Sequence, residues 1–389
     1  GMADAYARAT HRPSFVNLHI ETGLANGISL LHNAFAGGTP LVLSAGNKDI
    51  RELAHGRTDL AEMARPFTKW TAEVTHPEQL PFVMRRAFNE AQTPPTGPTF
   101  VAFSANALDG EAEVEIVASP TGYSRNPPDA RAVEDAADLL AAASNPVMIV
   151  GDRVADSGAS AEAVRVAEQL GAPVYASVYS EMSFPTSHTH FGGPIRLGFP
   201  DTRKMLSAAD VALVVGKLSS SSMFSGPVLQ FIGPGTKLVH IDSDPSGVGS
   251  TQPTDVGMVA DPAIALGRLA EALDATMSGS AREAVKGRSA NLASARAAAD
   301  AERDRQTRER WDDSPMSPSR MMAEVASSLP PETIIVDDAV TTRGALYDAM
   351  EFDEPGSVYG GRGGALGWGI GGGMGIKLAN PDKPVVAVV

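Results

Sequence analysis

Four stretches of the 389-residue chain have residue types and spacing suited to chemistry. His19 follows the apolar run Phe15-Val-Asn-Leu18 and precedes Gly23, which places it at a strand end before a turn at Glu21-Thr-Gly23. Open α/β sheets hold ligands at such strand ends, and an imidazole there can shuttle a proton near neutral pH. The competing reading is a structural histidine. Asp337-Asp338-Ala-Val-Thr341-Thr342 also stands at a strand end, where acids and hydroxyls suit either a helix cap or a diphosphate site. Asp242-Ser-Asp244-Pro245 has the same ambiguity. Ten glycines fall within Gly360–Gly375. Glycines let a backbone approach a ligand closely and adopt positive φ, and a run leading into a helix can turn its N–H groups to an anion. The alternative is a helix packed tightly on a sheet through a face of small residues. No strand is read directly before this run, which argues against a dinucleotide fingerprint. His188-Thr-His190 has metal-like spacing but no carboxylate partner in pattern, so no metal site is assigned. The Ser219–Ser222 run reads as a loop, and neither a Gly-x-Ser-x-Gly elbow nor a Walker A motif occurs.

Composition narrows the setting. The formal charge of −14 disfavours nucleic acid and anionic membranes as partners. With no cysteine, a disulfide framework, a zinc-thiolate site and a thiol nucleophile are all excluded. Hydrophobic residues are 43% and charged residues 20%, enough to bury sizeable cores and exclude a wholly disordered chain. No apolar run approaches the roughly 18 residues of a membrane span. The first residues include Asp4, Arg8, His11 and Arg12 with no apolar core, so no signal peptide is read. A cytoplasmic enzyme acting on a small molecule is expected.

The elements that must position these residues alternate between strand and helix, which implies an α/β chain of parallel, doubly wound sheets. Three such blocks are read. In the first, strands at Phe15–Leu18, Pro40–Ala45 and Thr99–Phe103 alternate with helices over Leu24–Phe35 and Pro77–Ala91. In the second, strands end at Gly151, Ala176, Gly216 and Asp242, with helices over Ala161–Leu170 and Pro262–Leu273. Ser278–Arg310 reads as a solvated helical connector. In the third, Ser317 caps a helix opening on Pro318, and two strands are read, Thr333–Asp337 and Val385–Val389. The domains are therefore 1–125, 126–275, a helical linker at 276–315, and 316–389, with the first and third cut short.

Together these segments resemble the superfamily of thiamine-diphosphate-dependent decarboxylases and acetolactate synthases. The resemblance is carried by Gly1-Met-Ala-Asp-Ala-Tyr-Ala-Arg-Ala-Thr10, Val16–Asn26, Pro40–Gly46, Gly235–Pro245 and Gly363-Gly-Ala-Leu-Gly367. Within it the chain looks closest to the benzoylformate decarboxylases, chiefly through Asn17-Leu-His19. The resemblance implies a pyrimidine-binding domain, a central domain and a diphosphate-binding domain, in that order. It implies that His19 handles protons on the substrate and that Asn26 lies on the pyrimidine side. It implies that the carbonyl of Gly364 accepts from the cofactor's aminopyrimidine, that Leu366 is wedged between the cofactor's rings, and that Val340 and Thr341 lie near the diphosphate. The implied cofactors are thiamine diphosphate and Mg²⁺, and the implied reaction is decarboxylation of a 2-keto acid. Acetolactate-synthase-like carboligation and an FAD- or ADP-binding central module are the alternatives. A homodimer or homotetramer is implied, with the pyrimidine domain of one subunit facing the diphosphate domain of another.

The departures also set expectations. The family's ylide-forming glutamate precedes the segment that opens at Gly1, and its metal-binding Gly-Asp-Gly motif follows the position of Val389. On this reading the chain is an internal piece of its parent, and the piece alone does not turn over and binds cofactor weakly or not at all. Ser219–Phe224 lacks the second active-site histidine of benzoylformate decarboxylases, which puts benzoylformate itself in question as substrate.

Overall fold

A computed structural model describes the chain except residues 53–55, 118–124, 178–179, 196, 198 and 219–229. The Ser219–Phe224 stretch lies outside the described residues. The chain groups into two compact units: 1–124 with 332–339 and 359–389, and 125–331 with 340–358.

The first unit opens with α1 (Met2–Thr10), β1 (Ser14–Leu18), α2 (Ile20–Gly37), β2 (Leu41–Asn47) and α3 (Leu60–Ala64). β3 (Trp70–Val74), α4 (Leu80–Gln92), β4 (Thr99–Ser104) and α5 (Ala105–Asp109) follow. The strands form a parallel sheet in the order β1-β2-β4-β3. All six residues of β4 are buried, as expected of a parallel strand covered on both faces. α2 buries Leu24 and Leu31 on this sheet and ends at Gly38, whose φ of 71° lets its N–H reach back to the last carbonyls.

The second unit contains α6 (Ala130–Ala141), β5 (Pro146–Val150), α7 (Asp152–Ser157), α8 (Ser160–Leu170), β6 (Val174–Ala176) and β7 (Phe191–Pro194). It continues with α9 (Pro200–Leu206), β8 (Val211–Val215), β9 (Lys237–Asp242), β10 (Val256–Val259), α10 (Pro262–Thr276), α11 (Gly279–Glu309) and α12 (Pro318–Ser328). Its parallel sheet has the order β10-β9-β8-β5-β6-β7, a doubly wound arrangement that reverses direction between β5 and β8. β5 and β8 are wholly buried. α11 buries no residue along its 31 positions, as its Arg- and Ala-rich sequence predicts for a solvated helix. Ser317 caps α12 by accepting from the N–H of Arg320 at 3.3 Å.

The chain then forms β11 (Ile334–Asp337), α13 (Arg343–Ala349), β12 (Val358–Gly360), α14 (Trp368–Ala379) and β13 (Val385–Val388). The strands line up as β12-β11-β13, with β11 and β13 parallel. β12, which the sequence reading missed, ends on Gly360, the first residue of the glycine-rich run. The third block therefore has three strands among the described residues, where two were expected.

Candidate functional site

His19 stands at the end of β1, as its spacing predicts, and is the N-terminal boundary residue of α2. The turn expected at Glu21-Thr-Gly23 is instead the first turn of α2, with the N–H of Gly23 bonded to the carbonyl of His19 at 2.6 Å. Ile20 carries the change of direction at a φ of 34°. A β-branched residue in that region is strained, and such strain persists where the surroundings over-determine it. His19 is exposed and its side chain makes no capping bond. Beside it, the Oε2 of Glu21 is buried with no hydrogen-bond partner among the described residues. Asn26 is exposed on the same helix.

The glycine-rich loop between β12 and α14 is held by the chain's first forty residues. Arg362 is buried and donates to the carbonyl of Gly37 at 2.8 Å. Arg8, also buried, donates to the carbonyl of Gly360 at 2.8 Å and lies over the rings of Tyr359 and Trp368. Asn33 of α2 bonds both polar groups of the Ala365 backbone, each at 3.0 Å. Gly364 has a φ of 86°, and a Cβ there would meet no atom within 4 Å. Leu366 presents its side chain outward at 78% exposure. Gly364 and Leu366 thus form an open, apolar lip on a fixed backbone.

Both readings of the glycines are realised, at different positions. Gly364 provides open space, whereas the glycines of α14 permit close packing. A Cβ at Gly369 would lie 2.6 Å from the Cβ of Asp338, and one at Gly371 would lie 3.3 Å from the N of Met2. The N-terminus of α14 already has an anion, because the Oδ2 of Asp338 accepts from the N–H of Gly369 at 2.9 Å. Asp338 is therefore a cap, and the Oδ1 of Asp337 closes a turn by accepting from the N–H of Ala339 at 3.1 Å. Val340 and Thr341 are exposed and belong to the second unit, so the first unit unites His19, Asn26, Gly364 and Leu366 but not these two. α2 joins the four: Asn26 and Asn33 are seven residues apart, two turns or about 10 Å along one face.

In the second unit, Asp242 is buried, and burial pushes its carboxyl up from the ordinary range while Arg153, 3.6 Å away, opposes that. Asp242 and Asp244 are occupied with turn bonds to the N–H groups of Asp244 and Ser246. At the crevice between β5 and β8, a Cβ on Gly216 would lie 3.2 Å from the Cβ of Arg153. His188 and His190 pack edge to face, 5.1 Å apart, with His190 bonded to the carbonyl of Ala172 and His188 facing Glu168. No group of three or more metal-binding side chains occurs among the described residues. A groove of about 310 Å³ is lined by Arg303, Asp304, Arg308, Trp311 and Asp348, and both arginines in it are ion-paired. No helix of the described residues is long and apolar enough to cross a membrane.

Sequence reasoning missed Asn33, Arg362 and Arg8. The available signal was a polar residue on the apolar face of a helix: Asn33 sits between Leu31 and Ala34, both buried.

Two stretches of the chain, the first of which includes His19, match one enzyme family. Residues 1–64 match the thiamine pyrophosphate enzyme N-terminal TPP binding domain, and residues 133–269 match the thiamine pyrophosphate enzyme central domain. The chain belongs to the thiamine pyrophosphate enzymes, a family of decarboxylases and carboligases. It is 29% identical to benzoylformate decarboxylase of Pseudomonas aeruginosa, over 100% of this chain and 71% of that protein. It is 29% identical to the acetolactate synthase large subunit of Corynebacterium glutamicum, over 70% of this chain and 45% of that protein. The solved structure of a thiamine diphosphate-dependent 4-hydroxybenzoylformate decarboxylase from Rhodococcus jostii superposes with a TM-score of 0.81 at 26% identity, covering 99% of this chain and 70% of that one.

Proposed function

We propose that the protein carrying these residues is a Mg²⁺- and thiamine-diphosphate-dependent 2-keto acid decarboxylase of the benzoylformate decarboxylase kind. The observation that carries the reading is the lip at Gly364–Leu366. Its backbone is fixed by buried side chains, its glycine faces open space and its leucine stands clear of the fold. That arrangement fits a cofactor whose aminopyrimidine needs a backbone acceptor and whose two rings fold over an apolar side chain.

When bound, thiamine diphosphate would supply a ring carbon that can become a nucleophile and a cationic ring that serves as the electron sink for loss of CO₂. The chain's own residues do the rest. The carbonyl of Gly364 accepts a hydrogen bond and orients the pyrimidine. The side chain of Leu366 sets the angle between the rings and keeps water from the reacting face. The exposed imidazole of His19 gives and takes a proton at the substrate oxygen. Asn26, on the first turns of α2, frames the same side, and Val340 and Thr341 are proposed to lie near the diphosphate. A carboligase of the acetolactate synthase kind is the second reading, favoured by the match to the Corynebacterium glutamicum subunit. We further propose a cytoplasmic homodimer or homotetramer that takes a small 2-keto acid and binds neither nucleic acid nor membrane. α14 supports self-association, because Ile370, Met374 and Leu378 stand exposed at a spacing of four along one face.

Isothermal titration of thiamine diphosphate with Mg²⁺ into the full-length protein that carries these residues tests the cofactor assignment. Saturable micromolar binding is expected there, and the absence of binding heat contradicts it.

A further inference from the structure

Asn33 lies on the last turns of α2 and is fully buried, at 0% exposure. Its Nδ2 donates to the carbonyl of Ala365 at 3.0 Å, and its Oδ1 accepts from the N–H of Ala365, also at 3.0 Å. One carboxamide thus satisfies both backbone groups of a single residue, as a neighbouring strand would. Gly363 makes the approach possible. A Cβ there would lie 2.8 Å from the Oδ1 of Asn33 and 2.9 Å from its Cα.

These two bonds also fix what Ala365 does not itself present. The N–H of Ala365 and the carbonyl of Gly364 belong to one planar trans peptide, so they point in opposite directions. With the N–H turned to α2, the carbonyl of Gly364 must point away from it. The second bond pins the next peptide in the same way and so sets where Leu366 leaves the backbone. A buried amide that could have been any apolar residue is instead spent on the orientation of one loop. Burying an amide costs free energy unless its bonds are made, so its presence here calls for such a use.

We propose that Asn33 is the positioning residue that aims the Gly364 carbonyl at the amino group of thiamine diphosphate. This rests on the cofactor reading above. Asn33 acts through Ala365 and touches no reacting atom.

The test compares two probes on three forms of the full-length protein that carries these residues: thiamine diphosphate and oxythiamine diphosphate, which has a keto oxygen in place of the amino group, on wild type, Asn33→Leu and Asn33→Asp. Asn33→Leu keeps the branched shape of the side chain and loses both bonds. Asn33→Asp still accepts from the N–H of Ala365 but cannot donate. Affinity by titration and the near-ultraviolet circular dichroism of the bound cofactor are read. For Asn33→Leu, thiamine diphosphate is expected to bind roughly tenfold more weakly, the worth of one hydrogen bond, and its dichroic band to diminish. Oxythiamine diphosphate should bind as it does to wild type, because it has no amino group to lose. Asn33→Asp should fall between the two, and it supplies the same comparison if Asn33→Leu does not fold. Equal weakening of both probes, or no weakening of either, overturns the proposal. A wild-type protein that binds neither probe overturns the cofactor reading first, and this proposal with it.

Discussion

The indole Nε1 of Trp368 donates to the Oδ2 of Asp4 at 2.6 Å, tying the first turn of α14 to α1 across 364 positions of sequence. Both residues are buried, and Arg8 lies 5.3 Å from the centre of the indole ring. The bond holds one end of the helix that follows the lip at Gly364–Leu366. Replacing Asp4 with Ala leaves a buried indole N–H unsatisfied and is expected to cost about 1–3 kcal/mol. Asp4→Asn keeps an acceptor oxygen and should cost less. Urea unfolding followed by tryptophan fluorescence measures both, and an Asp4→Ala midpoint equal to wild type would show that the bond contributes nothing.

The glycines of α14 and α11 should respond oppositely to alanine. A Cβ on Gly375 would run into the carbonyl of Met2, so Gly375→Ala forces α1 and α14 apart and should cost about 1–3 kcal/mol. Gly287 sits in solvated α11 with nothing within 4 Å of its Cβ position. Gly287→Ala should stabilise by about 0.5–1 kcal/mol through helix propensity alone. Thermal melts of the pair give the signs directly.

Much of this architecture was legible in the sequence, and the exceptions have physical causes. Val-rich β5 and β8 announce themselves because parallel strands covered on both faces are continuously apolar. β3 is half-buried along most of its length and mixes Thr71 and Glu73 with Ala72, so it carries no such run. β12 is three residues long and passes into glycines whose conformational freedom masks a strand. The turn expected at Gly23 became helix because Ile20, not glycine, absorbs the backbone reversal. His19, Gly364 and Leu366 were singled out as proposed site residues through motif resemblance. Asn33 was not, because its partner is a backbone unit 332 positions away that no local pattern encodes.

The strain at Ile20 predicts an exchange of stability for placement. Its φ of 34° costs a β-branched residue about 1–3 kcal/mol, which glycine avoids. Glycine also loses more entropy on folding, so Ile20→Gly should gain only about 1 kcal/mol net. Because Ile20 follows His19 directly, the same change should loosen the imidazole and lower kcat. A higher Tm with lower kcat is the expected pair, and a lower Tm would refute the strain.

His190 should make the second unit sensitive to acid. Burial lowers its proton affinity from the ordinary value of 6.5, and His188 beside it adds to the effect. The folded state therefore binds this proton less readily than the unfolded chain does. Stability from this group is complete above pH 6.5 and is lost as the pH falls below it. His190→Asn keeps a donor for the carbonyl of Ala172 and removes the titration. Melting between about pH 7 and about pH 5 should fall less steeply in that variant than in wild type. Equal slopes would remove His190 from the account.

CO₂ release from 2-keto acids, benzoylformate among them, by the full-length protein that carries these residues tests the central claim most directly. Release should require added thiamine diphosphate and Mg²⁺, fall by at least about tenfold in His19→Ala, and persist in Gly287→Ala. Release that is indifferent to thiamine diphosphate, or no release from any 2-keto acid by a protein that binds the cofactor, would contradict it.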